Sequence, residues 1–256
     1  MKETWNPVQY LKFEQERTQP FRDLLELVEA KPGMEVIDLG CGNGELTLEL
    51  HQRVQAKSTL GTESSPAMLE KAPHDADRGL AFRFGDIREF SEIGTYDLVF
   101  SNAALQWVDG HAVLLEKLRD ALKPDGQLAF QVPANHDHPS HLVAAKVAAE
   151  LPFREALRGY QRVSPVQLPD EYSLLLRHLG FRRQKVQLQV YLHELESRAE
   201  VIEWVKGTLL TDYEKRLTPE LYGKFLIRYR ELLFESLEDE KPYPYFFKRI
   251  RVWARR

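Results

Sequence analysis

The sequence predicts an α/β fold in which a mostly parallel sheet is covered by helices on both faces. A short hydrophobic strand at residues 36–39 leads directly into three alternating glycines and an apolar-periodic helix over 45–54. Strand and helix signals then alternate to about residue 133, which is typical of a parallel sheet with crossover helices. The tail at 246–254 is rich in strand formers and could complete the sheet.

The remaining elements follow from hydrophobic periodicity along the chain. Residues 7–30 carry helical periodicity, and Pro20 is expected to separate two helices there because proline interrupts a helix interior. Further strands are expected at 59–63, 82–87, 96–102, 122–130 and 183–195, and further helices at 65–72, 110–121, 170–179, 200–210 and 219–237.

Length and composition fit a globular protein with one sizeable core. The chain has 256 residues, of which 43% are hydrophobic and 29% charged, enough for an α/β core with an appended subdomain. The formal charge of −4 gives no electrostatic reason to expect nucleic acid as a partner. No apolar run approaches the ~20 residues of a membrane span, and the N-terminus lacks an apolar signal segment. We therefore expect a cytoplasmic protein that neither spans a membrane nor binds nucleic acid.

The glycine turn after the first strand predicts a cofactor loop. Gly40, Gly42 and Gly44 let the backbone turn sharply and approach a ligand closely. In a dinucleotide fingerprint a small residue follows three positions after the second glycine, but here that position is Glu45. Its carboxylate would repel a pyrophosphate, and Asp38 adds a second negative charge. Both acids favour a ligand without phosphate that carries positive charge, and S-adenosylmethionine fits that description. A tight turn of purely structural origin is the alternative.

Acids at the ends of later strands fit the same ligand. Glu63 closes the second strand, where a carboxylate could bind a ribose diol. Asp86 closes the third strand and could accept a hydrogen bond from an adenine amino group, while Ile87 covers the ring. Cys41 is the only cysteine, so an intrachain disulfide is impossible, and its place in the turn suggests a small buried side chain without a cationic neighbour to activate it.

The order of these motifs resembles the Rossmann-like S-adenosylmethionine-dependent methyltransferases over roughly residues 30–133. Other segments are similar to the trans-aconitate 2-methyltransferase family and extend the resemblance to almost the full chain. They lie at 5–13, 16–20, 23–25, 65–68, 102–108, 131–135, 139–141, 203–205 and 254–256.

The resemblance implies a fold, a domain organisation and a reaction. The fold would be a mostly parallel seven-stranded sheet with an appended helical cap. Residues 1–133 would hold the N-terminal helices and the cofactor-binding core, and 134–256 would supply cap insertions and the closing strands of a single structural unit. The reaction would transfer a methyl group from S-adenosylmethionine to a carboxylate oxygen of trans-aconitate or a related small acid, giving a methyl ester and S-adenosylhomocysteine. The cofactor-binding residues would be Asp38, Gly40, Cys41, Gly42, Gly44, Glu63, Ser64, Met68, Asp86, Ile87 and Asn102.

A carboxylate acceptor needs no activation by the protein. Its reference pKa is about 4, so the oxygen is already an anion at neutral pH and no catalytic base is required. Catalysis would consist of positioning the acceptor and excluding water. The expected acceptor-side residues are Tyr10, Arg17, Gln106, Trp107 and His141.

Some of these residues have an equally ordinary structural interpretation. Trp107 could be a core or hinge aromatic, and Arg17 could be a surface helix residue. Arg228 and Arg230 are further cations, for which salt bridging on a helix surface is the simpler account.

Residues 207–213 depart from the family pattern. Relatives tend to carry Gly-Thr-x-Leu-Arg-Pro-Tyr, whereas this chain has Thr211 and Asp212 in place of the arginine and proline. An arginine suited to forked carboxylate recognition is therefore absent there, and a negative charge is added. This departure bears on the identity of the acceptor more than on methyl transfer.

Two other classes of function and one other site remain open. A methyltransferase for a phenol or amine would need a base, and His111 and His141 are the candidates. A noncatalytic S-adenosylmethionine-binding protein is the other class. The histidine-rich loop at 135–141 could hold a metal, but its match to a methyltransferase loop that needs none leads us to expect no metal site. The sequence leaves the oligomeric state open, and a monomer is compatible with it.

Overall fold

The sheet determines the architecture. The computed structural model describes residues 15–73 and 79–256, without the side chains of residues 15–17. In these ranges seven strands form one sheet in the order β3-β2-β1-β4-β5-β7-β6. The strands are β1 (Glu35–Leu39), β2 (Ser58–Glu63), β3 (Leu80–Phe84), β4 (Tyr96–Asn102), β5 (Leu122–Pro133), β6 (Arg183–Leu195) and β7 (Tyr243–Arg255).

Helices alternate with the parallel strands and dominate the later part of the chain. They are α1 (Gln15–Leu25), α2 (Glu45–Arg53), α3 (Pro66–Leu69), α4 (His111–Asp120), α5 (Pro139–Ala149), α6 (Phe153–Ala156), α7 (Pro169–His178), α8 (Glu200–Lys206), α9 (Thr211–Glu214) and α10 (Pro219–Ser236).

The strand order places a topological switch at β1. β1 pairs in parallel with both β2 and β4, and the sheet continues in parallel to β3 on one side and β5 on the other. β7 then pairs antiparallel with β5. The chain moves outward from β1 to β2 and β3 on one side, and from β4 to β5 on the other. Because crossovers are right-handed, the connecting helices on the two sides cover opposite faces, and a crevice opens at the carboxyl ends of β1 and β4. The predicted mostly parallel, Rossmann-like α/β fold is confirmed.

The central strands are buried on both sides. Val36, Ile37 and Leu39 of β1 are at most 1% exposed, as are Leu98 and Phe100 of β4. Continuous apolar runs are what a parallel strand covered by helices on both faces requires. These residues therefore hold the carboxyl ends of the two strands, and the loops that follow them, in a fixed place.

The chain folds into two compact units. The core unit comprises Arg17–Pro133, Pro165–Gln189 and Arg249–Arg256, and the helical unit contains Ala134–Ser164 and Val190–Lys248. Each unit has its own apolar cluster of buried residues. The predicted organisation, with residues 1–133 and 134–256 forming a single structural unit, stays a prediction.

The expected break at Pro20 is wrong within the described residues. α1 runs through Pro20 from Gln15 to Leu25. Proline removes one backbone donor from a helix interior, but Phe21 and Leu24 are completely buried in the cluster that includes Phe100. Burying two such side chains stabilises the fold by about 1.5–3 kcal/mol each, which outweighs the lost hydrogen bond.

The end of β3 and the helix α5 also differ from the sequence prediction. β3 ends at Phe84, and a short 3-10 turn at Ile87–Glu89 follows where the strand was expected to continue. α5 was not expected, although Pro139 occupies its first turn and the His138 side chain caps it. Its alanine-rich run has little amphipathic contrast, so periodicity gives a weak signal there. Across the described ranges, none of the helices is both long and apolar enough to cross a membrane.

Candidate functional site

The turn after β1 needs glycine for its conformation and for space. Gly40, Gly42 and Gly44 have φ values of 77°, 59° and 77°, in the left-handed region that other residues rarely adopt. A Cβ on Gly40 would lie 2.3 Å from the Cβ of Ala104, and one on Gly44 would lie 2.6 Å from Cε1 of Phe82. Neighbouring side chains therefore approach the turn as closely as its backbone allows.

Hydrogen bonds attach this turn to the end of β2. The N–H groups of Gly40 and Cys41 donate to the carbonyl oxygen of Thr62 at 2.8 and 3.0 Å. The N–H of Gly42 donates to Oε2 of Glu63 at 3.1 Å. The carboxylate of Glu63 thus lies directly beside the glycine turn.

Glu63 is buried and is held by backbone donors. Its side chain is 9% exposed, and its Oε1 accepts from the N–H groups of Ser64 at 2.7 Å and Ser65 at 2.9 Å. The hydroxyl of Ser64 also donates to Oε1, at 3.4 Å. Each carboxylate oxygen has about two lone-pair positions, so Oε2, which accepts from Gly42, has room for a ligand donor. Ser64 itself is exposed.

Asp38 is a buried carboxylate with one unsatisfied oxygen. It is 3% exposed, and its Oδ2 accepts from Oγ1 of Thr47 at 2.6 Å. Its Oδ1 is buried and has no hydrogen-bond partner among the described residues. Burial raises the pKa of Asp38 to about 7, the Thr47 hydrogen bond opposes this, and the negative charge of Glu63 adds to it. A donor or cation placed at Oδ1 would remove this unfavourable arrangement.

Apolar and sulfur-containing side chains line the same turn. Cys41 is 8% exposed and Met68 is 4% exposed. A Cβ on Gly42 would lie 3.4 Å from Cε of Met68, and one on Gly40 would lie 3.5 Å from Cδ1 of Ile87. Burial, with the charges of Asp38 and Glu63, raises the pKa of the Cys41 thiol, so Cys41 is a neutral packing residue.

Asp86 has an ion-pair partner that sequence reasoning missed. Nε of Arg88 donates to both carboxylate oxygens of Asp86 at 2.9 and 3.0 Å, and the backbone N–H of Arg88 donates at 2.9 Å. The guanidinium holds the pKa of Asp86 below its ordinary value. The two-residue spacing at the start of the 3-10 turn was the available signal for this pair.

The carboxyl end of β4 carries further predicted residues. Oδ1 of Asn102 accepts from Nε2 of Gln131 at 2.7 Å. Gln106 and Trp107 lie in a 3-10 turn at Leu105–Trp107, and Nε2 of Gln106 donates to the carbonyl oxygen of Ala103 at 2.6 Å. Oε1 of Gln106 is buried without a hydrogen-bond partner in the described part of the chain, so it could accept from a ligand donor.

His111 is a packing residue in this structure. It is 2% exposed, and its Nε2 lies 3.0 Å from the carbonyl oxygen of Leu105 while its Nδ1 contacts the hydroxyl of Tyr172. Because a carbonyl only accepts, Nε2 carries the proton and Nδ1 accepts from Tyr172. Burial lowers the pKa of His111. With both nitrogens engaged, His111 is poorly placed to act as a base.

His141 belongs to the helical unit and is neutral at physiological pH. Its Nδ1 lies 3.2 Å from Oγ of Ser140, which also lies 2.9 Å from Nδ1 of His138. Burial lowers the pKa of His141 to about 3 and that of His138 to about 4. Among the described residues, no group of three or more His, Cys, Asp or Glu side chains could hold a metal ion.

The added charge of Asp212 is balanced by an arginine that sequence reasoning did not identify. Nη1 of Arg162 donates to Oδ2 of Asp212 at 2.8 Å and to the carbonyl oxygen of Thr208 at 3.2 Å. Nη1 of Arg216 lies 3.7 Å from the other oxygen of Asp212. Thr211 donates through Oγ1 to the same Thr208 oxygen at 2.6 Å. Two arginines from outside the segment therefore accompany the carboxylate of Asp212, although the family arginine is absent.

The remaining acceptor-side candidates are partly outside the described residues. Tyr10 lies outside them, and the side chain of Arg17 does too. Arg228 forms ion pairs with Glu150 at 2.8 Å and with Glu231 at 3.2 Å, which confirms the salt-bridge interpretation. Arg230 lies 5.1 Å from the ring centre of Phe234 on the same helix.

The structure thus brings most of the predicted residues to one edge of the core unit. Around the glycine turn lie Asp38, Cys41, Glu63, Met68 and Ile87, and Asn102 lies on the neighbouring strand β4. Whether they contact a cofactor stays a prediction. His141 belongs to the helical unit.

Comparison with known proteins gives consistent matches. A family model described as a methyltransferase domain matches residues 10–186. A trans-aconitate 2-methyltransferase of Deinococcus radiodurans is 43% identical and covers 99% of this chain and 98% of its own. Another, from a Mycobacterium species, is 36% identical with 98% of both chains covered.

Solved structures share the fold at low sequence identity. The YcgJ protein of Bacillus subtilis has a TM-score of 0.61 at 13% identity, covering 93% of this chain and 98% of its own. An S-adenosylmethionine-dependent methyltransferase of Mesorhizobium loti has a TM-score of 0.51 at 20% identity, covering 92% and 96%. At these identities the likeness concerns the fold alone.

Proposed function

Since the chain belongs to the methyltransferase family that includes the trans-aconitate 2-methyltransferases, we propose that it methylates a carboxylate of trans-aconitate or of a related di- or tricarboxylate. The observation that carries this proposal is the extent of the likeness, which covers the helical unit as well as the core unit. A likeness restricted to the cofactor core would support methyl transfer but no class of acceptor.

The residues around the glycine turn fit S-adenosylmethionine. Asp38 and Glu63 place two carboxylates beside the turn, and their hydrogen-bond partners are hydroxyl and backbone N–H groups. This site favours a ligand with ammonium and sulfonium charges over a pyrophosphate. Oδ1 of Asp38, which has no partner among the described residues, is suited to a cationic donor. When bound, S-adenosylmethionine supplies an electrophilic methyl group and S-adenosylhomocysteine remains.

Each predicted cofactor residue then has a role. Glu63, with Ser64 next to it, accepts from the ribose hydroxyls, and Asp86 accepts from the adenine amino group while Ile87 and Met68 pack beside the ring. The glycines and Cys41 form the turn that lets the ligand approach, and Asn102 contributes its amide from β4. Arg88 occupies the carboxylate of Asp86, so adenine binding would share that carboxylate or displace the arginine.

The chain needs to position the acceptor rather than activate it. An acid with a pKa of about 4 is ionised at neutral pH, so no general base is required. The proposed acceptor residues remain Tyr10, Arg17, Gln106, Trp107 and His141. The alternative acceptors, a phenol or amine, gain no support from His111, because both of its nitrogens are engaged.

Product chemistry tests the proposal directly. The protein is incubated with S-adenosylmethionine labelled in the methyl group and a panel of di- and tricarboxylates, and the products are treated with alkali. We expect a labelled product that alkali cleaves, as for a methyl ester, with trans-aconitate among the best acceptors. An alkali-stable product would indicate an ether or amine acceptor instead, and no product despite cofactor binding would indicate a noncatalytic binder.

A variant pair tests the cofactor assignment separately from turnover. Glu63→Gln should weaken S-adenosylhomocysteine binding about tenfold or more, because hydrogen bonds to a charged group contribute roughly 1.5–3 kcal/mol. The exposed Glu70→Gln is the control and should bind normally. Unchanged affinity in Glu63→Gln by calorimetry would remove Glu63 from the ribose site.

A further inference from the structure

Three polar side chains form a continuous hydrogen-bonded row across β7, β5 and β4. Nη1 of Arg249 donates to Oε1 of Gln131 at 3.0 Å, and Nε2 of Gln131 donates to Oδ1 of Asn102 at 2.7 Å. Arg249 is 3% exposed and Gln131 is completely buried. Charged side chains are rarely buried to this extent, so a row of this kind requires an explanation.

The strand registers produce the row. Asn102 lies opposite Gln131 in the parallel pair of β4 and β5. Pro133 lies opposite Arg249 in the antiparallel pair of β5 and β7, so Arg249 and Gln131 are diagonal neighbours. Diagonal neighbours on a sheet are within reach of long side chains. The three residues therefore share one face at the carboxyl ends of β4 and β5.

Donor and acceptor chemistry gives the row a single direction. A guanidinium has donors only, so the atom of Gln131 that faces Arg249 must be its oxygen. The NH2 group of Gln131 then faces Asn102, whose oxygen must accept it. The arginine thus fixes the orientation of the Gln131 amide directly and that of the Asn102 amide through Gln131. The oxygen of the Asn102 amide binds Gln131, so its NH2 group faces away from Gln131.

Asn102 is placed where a ligand is expected. It is the last residue of β4, beside β1 and its glycine turn. Oγ of Ser101 donates to the carbonyl oxygen of Leu39 at 2.8 Å and fixes the two strand ends together. Ala103 follows with a φ of 55°, a conformation that non-glycine residues seldom adopt and that clusters at functional sites. Asn102 itself is only partly buried.

We propose that Arg249 acts through Gln131 to hold the NH2 group of Asn102 as a hydrogen-bond donor for a carboxylate of a bound ligand. Arg249 and Gln131 are positioning residues, and Asn102 is the contact residue. A donor of fixed orientation suits an anionic oxygen, and the positive charge on Arg249 polarises the row in the same sense. This inference rests on the proposed function, in which both the cofactor and the acceptor carry a carboxylate.

Substitutions at Gln131 test the orientation. In Gln131→Glu the carboxylate accepts from Arg249 and from Asn102, so Asn102 must turn its NH2 group inward and present its oxygen to the ligand. Gln131→Met adds no charge and leaves the amide of Asn102 unheld. Gln187→Glu on β6 is the control, because Gln187 also accepts from an arginine, Nη2 of Arg251 at 3.2 Å, without touching Asn102.

Two affinities identify the carboxylate that is recognised. We measure the Kd of S-adenosylhomocysteine by calorimetry and the KM of the acceptor, with the melting temperature as a check on folding. Gln131→Glu should weaken one of the two affinities about tenfold or more, and Gln131→Met should weaken the same one by a smaller factor. A changed Kd assigns Asn102 to the carboxylate of the cofactor, and a changed KM alone assigns it to the acceptor. Gln187→Glu should change neither.

A second substitution keeps the test decisive. Asn102→Leu, which removes the donor without adding a charge, should weaken the same affinity as Gln131→Glu. The double variant with Gln131→Met should lose no more than Asn102→Leu alone, since the donor that Gln131 holds is already absent. The proposal is overturned if Gln131→Met binds like the wild type while Gln131→Glu is weakened, because charge repulsion alone explains that pattern. Unchanged affinities in both Gln131 variants overturn it too. The Kd of S-adenosylhomocysteine can be measured without turnover. Failure to methylate any carboxylate would therefore refute the proposed function, while the effect of the variants on this Kd would still test the inference.

Discussion

At the scale of single residues, the environment of Asp38 matters more than its identity. The sequence shows an acid before the glycine turn, but only the fold shows that it is buried, bonded to Thr47 on one oxygen and unsatisfied on the other. The raised pKa follows from a burial that no local pattern encodes. Asp38 therefore destabilises the ligand-free fold when ionised and favours binding of a cation.

The pH dependence of stability should reveal this residue. Because the pKa of Asp38 is raised to about 7 in the folded protein, the folded state holds its proton more tightly than the unfolded state. The free energy of unfolding should fall as pH rises from about 4 to about 7, by at most about 1.4 kcal/mol per pH unit from this group. Asp38→Asn should lack this component.

Comparing the wild type with Asp38→Asn separates the contribution of Asp38 from that of other carboxylates. Asp86 and Asp97, with lowered pKa values, contribute stability that is lost as pH falls, and they act equally in both proteins. Denaturant unfolding is measured without cofactor at several pH values. A constant difference between wild type and Asp38→Asn would show that Asp38 ionises normally in the fold.

Other residue-scale features show the limit of sequence reasoning. The acids Asp38 and Glu63 and the three glycines could be predicted because strand ends and turns are local patterns. Arg162 could not, since it reaches Asp212 from 50 positions away in the chain. The contact between Arg249 and Gln131 could not be predicted either, because it depends on the antiparallel register of β7 with β5.

At the scale of elements, β1, the glycine turn and α2 agree with the sequence within a residue at each end. Their hydrophobic patterns switch from strand to helix across glycines that the turn needs. Prediction was poorer where tertiary packing overrides a local rule. Pro20 is tolerated inside α1, and the 3-10 turn after β3 starts with a cap from Asp86.

A glycine substitution separates space from conformation in that turn. Gly40→Ala should abolish measurable S-adenosylhomocysteine binding and lower the free energy of unfolding by about 2 kcal/mol or more, since its Cβ would lie 2.3 Å from that of Ala104 at a positive φ. Gly94→Ala is the matched control. Gly94 also has a positive φ, of 60°, but a Cβ there meets nothing within 4 Å.

Gly94→Ala should lower the free energy of unfolding by about 1 kcal/mol, which is the cost of the positive φ alone, and should bind S-adenosylhomocysteine normally. Stability is measured by denaturant unfolding and affinity by calorimetry. Equal losses in the two variants would mean that the contact between Gly40 and Ala104 has no special importance.

At the scale of the whole molecule, each unit is built from segments distant in the chain. The core unit joins 17–133 to 165–189 and 249–256, and the helical unit joins 134–164 to 190–248. The strand and helix order predicts the parallel part of the sheet, because βαβ connections are local and of one hand. It does not predict which later helices share a core, because those contacts join side chains far apart in sequence.

A substitution in the helical unit should separate fold stability from cofactor affinity. Phe225 is completely buried, with its ring centre 5.0 Å from that of Tyr213. Phe225→Leu should lower the free energy of unfolding by about 1–3 kcal/mol. The Kd of S-adenosylhomocysteine should stay unchanged in the folded protein, because the proposed cofactor residues lie in the core unit. A matching loss of affinity in calorimetry would show that the helical unit contributes to cofactor binding.

The position of Cys41 bears on whether the bound methyl donor can alkylate its thiol. A sulfonium compound is an alkylating agent, and the sulfur atom most open to alkylation in a protein is an ionised cysteine. This chain has a single cysteine, and it lies in the turn itself, where burial and then the charges of Asp38 and Glu63 raise the pKa of its thiol. Since Cys41 stays in the neutral thiol form, we expect a bound sulfonium compound to leave it unmodified.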